Sequence, residues 1–280
     1  MTVHRPRLLA SCALAAPLLA VALPAGAERL RLDYRVHVGG VTVMEAQATL
    51  ALTGDRYAIE MQGATQGLLG RVVSWSTQSS VTGTLAPGGP SPSRYQVVSS
   101  WRGEPRDVRM EFDGQGGVAV AADPPPQAEG REPVPEPMRR DSVDPLSAHL
   151  GVLLAAGRGE GCARTVPVYD GRRRYDLTFS DAGPEALAAS RYSVFAGTAR
   201  HCRVQSRTLA GRKLSEGTAF WQRGNEDDRP PLDVWIAPLR AGGPTVPVRL
   251  ETDSSFGGVL VHLTAATVLP ETAERPTSKR

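Results

Sequence analysis

The sequence predicts a mainly β protein, built as one strongly curved antiparallel sheet or incomplete β-barrel with a short helix, residues 144–156, capping its open face. Most of the chain consists of short stretches in which apolar and polar residues alternate, and glycine-rich turns separate them. Each half alone offers too few strands to close a sheet comfortably. One continuous sheet is therefore favoured, and two separate β domains are the alternative.

The first 27 residues have the pattern of a secretory signal peptide. Arg5 and Arg7 precede an interrupted apolar stretch over residues 8–23, and Ala25-Gly26-Ala27 provides small residues for cleavage before Glu28. We expect the mature chain to begin at Glu28.

A lipoprotein acylation box at Leu9-Ala10-Ser11-Cys12 is the alternative for this segment. It is disfavoured because the apolar stretch before Cys12 is short and a longer one follows it.

Charge and hydropathy restrict the classes of partner. Residues 1–27 contain Arg5 and Arg7 but no acid, so their removal lowers the formal net charge from +3 to +1. A nearly neutral chain has no electrostatic basis for binding nucleic acid. The rest of the sequence lacks an apolar stretch of about eighteen residues, so we expect no transmembrane helix after cleavage.

Two cysteines remain in the mature chain, Cys162 and Cys202. In an exported protein such a pair predicts a disulfide, and a closed loop of about 40 residues corresponds to roughly 4 kcal/mol of stabilisation. A metal site that adds His201 is the alternative, but two adjacent ligands among three match no standard spacing. We therefore predict a disulfide and no metal site.

The first half of the chain predicts an antiparallel meander of about seven strands that ends near Ala122. Residues 30–38 alternate regularly, Gly39-Gly40 forms a turn, and the alternation then slips by one residue, which predicts a β-bulge near Val43. Residues 63–70 lose the pattern and predict a corner or exposed loop. Further strands are predicted within residues 57–61, 72–81, 94–101 and 108–112.

A proline-rich segment, residues 123–137, predicts an exposed, extended crossing between the two halves. The predicted helix follows it. Asp144 is expected to be the N-cap and Pro145 the first helical residue, and apolar side chains then recur on one face. Gly157 is expected to end the helix as the C′ residue.

Strands resume in the second half, where Asp170-Gly171 predicts a tight hairpin turn. The charged tail, residues 271–280, is expected to be disordered. Strands are predicted within residues 166–168, 175–179, 192–194, 202–209, 214–221, 232–236, 246–250 and 259–267.

Large aromatic side chains are candidates for a ligand-binding wall. Trp75, Trp101 and Trp235 lie in predicted strands and would line a pocket inside a curved sheet, with the helix as its lid. His149 lies at the rim of the apolar helix face and would look into such a cavity. A plain core role for the tryptophans and a surface position for His149 are the alternatives.

The arginines after the Asp170-Gly171 turn suggest an anion-binding tip for a phosphate or lipid headgroup. Alternation along a strand allows Arg172 and Arg174, but not Arg173, to point the same way. A solvated basic strand edge explains the same residues.

Common catalytic motifs are not found: the sequence has no Gly-x-Ser-x-Gly, His-Glu-x-x-His, phosphate-binding glycine loop or Cys-x-x-Cys. His37 and His262 occur singly, and we expect them to be solvent-facing or hydrogen-bonded structural residues. We assign no catalytic residue and expect no cofactor.

Several of these motifs together resemble the DUF3108 family of exported bacterial proteins. They are Asp144-Pro-Leu-Ser147, Val166-Pro-Val-Tyr-Asp-Gly-Arg-Arg-Arg-Tyr175, the Cys202 strand, Val234-Trp235-Ile236 and Pro247-Val248-Arg249-Leu250, and the likeness extends from Tyr34 to Leu263. The resemblance implies a β-rich periplasmic protein of Gram-negative bacteria without an assigned activity, and it brings no catalytic residues. In overall plan the chain is similar to curved-sheet envelope carriers of the lipoprotein-localisation kind.

These observations favour a non-enzymatic periplasmic envelope protein that holds an apolar or amphipathic ligand such as a lipid, with peripheral outer-membrane association left open. An envelope-polymer hydrolase using carboxylates such as Asp144, Asp170 or Asp233 is one alternative. An assembly component, recognised through the proline-rich segment or a sheet edge, is the other.

Overall fold

A computed structural model describes residues 28–72, 74–214, 230–254 and 257–270, and within them thirteen strands form one antiparallel sheet. The strands are β1 Glu28–Val38, β2 Val41–Thr53, β3 Arg56–Thr65, β4 Trp75–Ala86, β5 Gly89–Trp101, β6 Glu104–Phe112, β7 Val118–Asp123, β8 Arg164–Tyr169, β9 Arg174–Leu187, β10 Gly197–Ala210, β11 Leu232–Pro238, β12 Thr245–Ser254 and β13 Gly257–Leu269. The helices are α1 Gly67–Val72, α2 Glu136–Arg139 and α3 Pro145–Gly157, besides a 3-10 helix at Pro126–Glu129.

The order of strands across the sheet is β7-β6-β5-β4-β3-β2-β1-β13-β12-β11-β10-β9-β8, so the first and last strands of the chain pair near its middle. Each half is an antiparallel meander, and the pairing of β1 with β13 joins the two. The sheet is not closed, because β7 and β8 form its two ends. The predicted fold class and the seven strands before Ala122 are confirmed.

The predicted β-bulge is also confirmed. Val36 of β1 faces Met44 of β2, whereas the next residue, His37, faces Thr42, so Val43 has no directly opposite partner. The extra residue explains the slip in alternation that the sequence shows.

Helix α3 fills the core rather than covering an empty interior. Ala148 and Val152 pack with buried side chains from β8–β11, whereas Leu150 packs with those from β2–β6. The helix is therefore buried on two sides, and the expectation of a single apolar face was too narrow. Pro145–Gly157 is wholly helical and the first left-handed residue is Gly159, with φ +81°, so the expected C′ position at Gly157 was two residues early.

Asp144 caps α3 as predicted and anchors a buried hydrogen-bonded chain. Its Oδ1 accepts from the amides of Leu146 at 2.9 Å and Ser147 at 3.0 Å. The Ser147 hydroxyl donates to Oδ2, and the Tyr57 hydroxyl lies 2.7 Å from Ser147 Oγ. Burial raises the pKa of Asp144 despite these donors. The hydrogen bonds from Asp144 through Ser147 to Tyr57 fix α3 against β3.

We expect Tyr57→Phe to lower the free energy of unfolding by about 1 kcal/mol, because it removes one buried hydrogen bond and leaves Ser147 still donating to Asp144. Urea unfolding of both proteins measures the difference. Tyr192→Phe is the matched control, since the Tyr192 side chain is exposed. A loss no larger than that of the control would contradict the role assigned to the Tyr57 hydroxyl.

The proline-rich segment is more structured than its composition indicates. It contains the 3-10 helix, and Val134 is only 4 % exposed because it packs in the cluster of β2–β6. The Glu132 amide donates to the Arg212 carbonyl at 3.0 Å, which ties the segment to the end of β10. The expectation of an exposed, extended crossing was therefore wrong for this part of the segment.

Two other local predictions differ from the structure. Residues 63–70 include the end of β3 and most of α1 rather than only a loop, and residues 192–194 lie in the β9–β10 connection rather than in a strand. Most of the predicted 214–221 strand lies outside the described residues, as do the signal peptide and the tail.

The two ends of the sheet approach each other at a contact that we call the seam, formed by Val108 of β6 and the Asp170-Gly171 turn. Gly171 has φ +87°, and a Cβ added there would lie 2.2 Å from Val108 Cγ1. Asp170 Oδ1 accepts from the amides of Arg172 at 2.9 Å and Arg173 at 2.7 Å, which holds the turn in shape. The turn thus packs against β6 between the two ends of the open sheet.

Cys162 and Cys202 form the predicted disulfide, with their Cα atoms 6.2 Å apart. Both are fully buried beside α3. The disulfide links the loop after α3 to β10. Because the sulfurs bond to each other and His201 points to the opposite face of β10, the alternative metal site is not supported.

Candidate functional site

A row of polar side chains crosses the face of the sheet that points away from α3. Asp33, Gln47, Gln62 and Gln78 stand directly opposite one another on β1, β2, β3 and β4. Tyr57 contacts α3 and lies an odd number of residues from Gln62 in the same strand, so strand alternation places the row on the other face.

This row forms the floor of a cavity of about 860 Å³ that we call the amide groove, bordered by residues of β1–β6 and β13. The side chains of the floor bond to one another: Gln47 Nε2 donates to Asp33 Oδ1 at 2.9 Å, and Gln62 Nε2 donates to Gln47 Oε1 at 3.2 Å. Val98, which is 42 % exposed, and Pro105 add apolar surface.

The charges of the groove are paired. Arg31 Nε lies 3.1 Å from Asp33 Oδ1, and Arg35 Nε lies 3.3 Å from Glu45 Oε1. The groove therefore offers amide and carboxylate hydrogen-bonding groups without a large excess of either charge.

The three candidate tryptophans lie on different faces of the sheet. Trp75 and Trp101 are directly opposite on β4 and β5, and Trp75 lies close to Gly63 on the face that carries Tyr57. Trp235 is on the face away from α3, because its neighbour Val234 packs in the cluster of α3. The three side chains do not border one cavity, contrary to the picture of a single aromatic wall.

Trp235 is held within a compact polar cluster. The His201 ring stacks on it at 4.5 Å between centroids, and the Arg249 guanidinium lies 5.0 Å from its ring centre. Trp235 Nε1 donates to Glu185 Oε2 at 2.9 Å. Its side chain is only 5 % exposed, so these contacts leave little surface for a ligand.

His149 is exposed on α3, and its Nδ1 lies 2.7 Å from the Pro145 carbonyl oxygen. Its ring meets the edge of Phe179 at 5.9 Å. Arg174 donates to the Tyr175 carbonyl at 2.8 Å and to Asp176 at 2.7 Å, so its terminal nitrogen Nη1 is engaged locally. Arg172, by contrast, borders a cavity of its own.

The carboxylates considered for hydrolysis all have structural partners. Asp144 caps α3, and Asp170 holds the turn at the seam. Asp233 Oδ1 accepts from Arg203 Nε at 3.1 Å and lies 2.7 Å from His201 Nε2. Although burial alone would raise the pKa of Asp233, the His201 and Arg203 contacts lower it below its usual range. These contacts favour structural roles for all three.

His37 is only 7 % exposed, so of its two expected roles, solvent-facing or hydrogen-bonded, the solvent-facing one was wrong. The loop after β9 folds back over it: the Val194 amide donates to the Leu263 carbonyl at 3.0 Å, and the Tyr192 ring lies 5.4 Å from the His37 ring. Burial lowers the pKa of the adjacent His262, with smaller contributions from Arg249 and His37 itself.

Sequence reasoning missed the glutamines of the amide groove. Gln47, Gln62 and Gln78 each occupy a polar position of an alternating strand, which is an ordinary pattern for a solvated face. Only the strand register brings them together. The signal that could have revealed the groove is the occurrence of one glutamine in each of three successive strands, at positions that pair directly.

Comparisons with known proteins agree on the architecture. The chain is similar to a solved structure described as a "Beta-barrel-like Protein of Domain of Unknown Function DUF1849 from Brucella abortus", at 10 % identity and a TM-score of 0.50. The match covers 87 % of this chain and 98 % of that one, and at such low identity it concerns the fold alone. Among the described helices, none combines the length and hydropathy needed to cross a bilayer.

No curated protein matches the chain. The family model described as "Protein of unknown function (DUF3108)" matches residues 33–264, which include almost all of the sheet and α3. The chain belongs to the DUF3108 family.

Proposed function

We propose that this protein is a non-enzymatic component of the cell envelope that holds an amphipathic ligand on its curved sheet. The observation that carries the proposal is the amide groove, a cavity of about 860 Å³ built on one rigid sheet. Its volume falls within the range of about 300–1,000 Å³ that is usual for small-molecule sites. The ligand lies on the polar face of the sheet, not beneath α3 as the sequence suggested.

The lining of the groove selects the chemistry of the ligand. Glutamine amides both donate and accept hydrogen bonds, so they suit hydroxyl, ester and amide groups. Val98 and Pro105 offer apolar surface to a short aliphatic portion. Since the charges of Arg31 and Arg35 are balanced by neighbouring acids, an uncharged polar group fits best over the floor.

The proposed location is the periplasm. Residues 1–27 act as the signal peptide, cleavage follows Ala27, and residues 28–270 form one domain. The buried disulfide between Cys162 and Cys202 supports this location, because such bonds persist in oxidising compartments. Peripheral contact with the outer membrane brings the groove to its ligand.

The test is mass spectrometry of the mature protein purified from its native envelope, which reports both the cleaved mass and any retained small molecule. Ala64→Trp places an indole in the groove, whereas Gln96→Trp places the same group on the same face but outside it. We expect wild type and Gln96→Trp to retain the ligand and Ala64→Trp to lose at least about 90 % of it, a tenfold change that corresponds to about 1.4 kcal/mol.

Two results would overturn the proposal: no molecule retained by the wild type, or equal retention by the two tryptophan variants. The first would favour an assembly role instead. β7 would be the natural docking edge, because it ends the sheet with the uncharged sequence Val118-Ala119-Val120-Ala121-Ala122.

A further inference from the structure

A second cavity, of about 580 Å³, lies near the seam, and we call it the basic cavity. Its walls come from three separate parts of the chain: the ends of β5 and β6, the proline-rich segment, and the region around Arg172 and Lys213. The lining carries four cationic side chains and only two acidic ones, a formal excess of two positive charges. These are Arg106, Arg131, Arg172 and Lys213 against Glu104 and Glu129.

The carboxylate of Glu129 forms ion pairs with two of these cations, Arg106 and Arg172. Glu129 is 13 % exposed and lies 2.5 Å from Arg106 Nε, while its other oxygen pairs with Arg172. Arg172 Nη1 also donates to the Pro124 carbonyl at 3.0 Å. The Nη2 atom of Arg172 is buried, and among the described residues it finds no acceptor. A buried donor left without an acceptor costs about 1–3 kcal/mol, so the contacts of Arg172 with Glu129 and Pro124 do not satisfy all of its donors.

The other two cations are held side by side. Arg131 and Lys213 form an antiparallel backbone bridge. In such a pair the two side chains point to the same side, with their Cβ atoms about 5 Å apart. Arg131 Nη1 donates to the Gly211 carbonyl at 2.9 Å. Within the part of the chain that the structure describes, the Lys213 side chain has no hydrogen bond or ion pair. Lys213 is exposed and lines the cavity.

We propose that the basic cavity binds a phosphate group. A phosphate carries close to two negative charges and three or four acceptor oxygens, which match guanidinium and ammonium donors on several walls. A carboxylate would offer half that charge. The cavity is larger than a phosphate, so it has room for the remainder of a phosphorylated molecule. Ser99 and Pro105 border both the basic cavity and the amide groove.

Calorimetric titration of the whole protein with inorganic phosphate, at constant ionic strength, tests the proposal. Lys213→Gln removes a charge whose side chain makes no hydrogen bond or ion pair among the described residues. Arg94→Gln is the matched control, because Arg94 is exposed on β5, pairs with Glu111 and lies outside the cavity. We expect Lys213→Gln to weaken phosphate binding about tenfold and Arg94→Gln to change it less than about twofold.

Vesicle sedimentation distinguishes the source of the phosphate. Vesicles containing phosphatidic acid, whose headgroup is a phosphomonoester, would identify a lipid headgroup if they bind the wild type but not Lys213→Gln, provided that phosphatidylcholine vesicles bind neither. Titration with phosphate but no vesicle binding would identify a free or soluble phosphate. Absence of phosphate binding by the wild type, or equal affinities of Lys213→Gln and Arg94→Gln, would overturn the proposal. Ala64→Trp should leave phosphate binding intact, which separates this site from the amide groove.

Discussion

Replacing Gly171 by alanine should lower the free energy of unfolding by about 3 kcal/mol. A non-glycine residue in the left-handed region costs about 1–2 kcal/mol, and Gly171 has φ +87°. The added methyl group would also lie 2.2 Å from Val108 Cγ1, and overpacking of a filled core costs about 1–3 kcal/mol. The two costs are separate because one is local to the turn and the other crosses the seam.

A double-mutant cycle with Val108→Ala separates them. If the clash contributes as inferred, Gly171→Ala should cost only about 1–2 kcal/mol in a Val108→Ala background, since only the backbone cost remains. Chemical unfolding of the four proteins provides the measurement. Gly54→Ala is the control for the backbone cost alone, because Gly54 has φ +60° and no atom near an added Cβ. Additive effects of the Gly171 and Val108 substitutions would show that the seam is not a packed contact.

Removal of the disulfide should have an effect of similar or larger size. Cys162 and Cys202 are 40 residues apart, and closing such a loop restricts the unfolded chain by about 4 kcal/mol in the chain-entropy account. Both sulfurs lie in the core cluster of α3, so Ala substitution also leaves a small space there. We expect the Cys162→Ala/Cys202→Ala protein to lose about 4 kcal/mol of stability.

Comparison with the reduced wild type distinguishes the crosslink from the packing of the sulfurs. Reduction keeps both side chains in the core, so it should reproduce most of the loss measured for the double variant. Unfolding curves with and without dithiothreitol give the two values. A reduced protein as stable as the oxidised one would contradict the stabilising role assigned to the bond.

The features that could be predicted from the sequence are those determined by a few neighbouring residues. The slip of alternation at Val43, the Asp144-Pro145 start of α3 and the Asp170-Gly171 turn each involve a few neighbouring residues whose preferences agree. The pairing of Cys162 with Cys202 was predictable because only two cysteines remain after residue 27. Such features need no knowledge of which strand lies beside which.

The features that were missed depend on long-range contacts. His37 shares a strand face with Arg31 and Arg35, which favours exposure to solvent, yet the ring of Tyr192, far along the chain, lies against it. Val134 has prolines on both sides in the sequence, but its side chain packs in the core against residues of β2–β6. The amide groove and the basic cavity likewise arise from register and from the approach of distant segments, about which composition and periodicity carry no information.

The pairing of β1 with β13 has a consequence for the order of folding. Tyr34 meets Leu263, and these partners are separated by most of the chain. Strands β1–β7 can pair with one another early, but one edge of β1 stays unpaired until β13 is available. This topology predicts slow folding. A chain truncated before β13 would leave one edge each of β1 and β12 unpaired, and such edges promote aggregation.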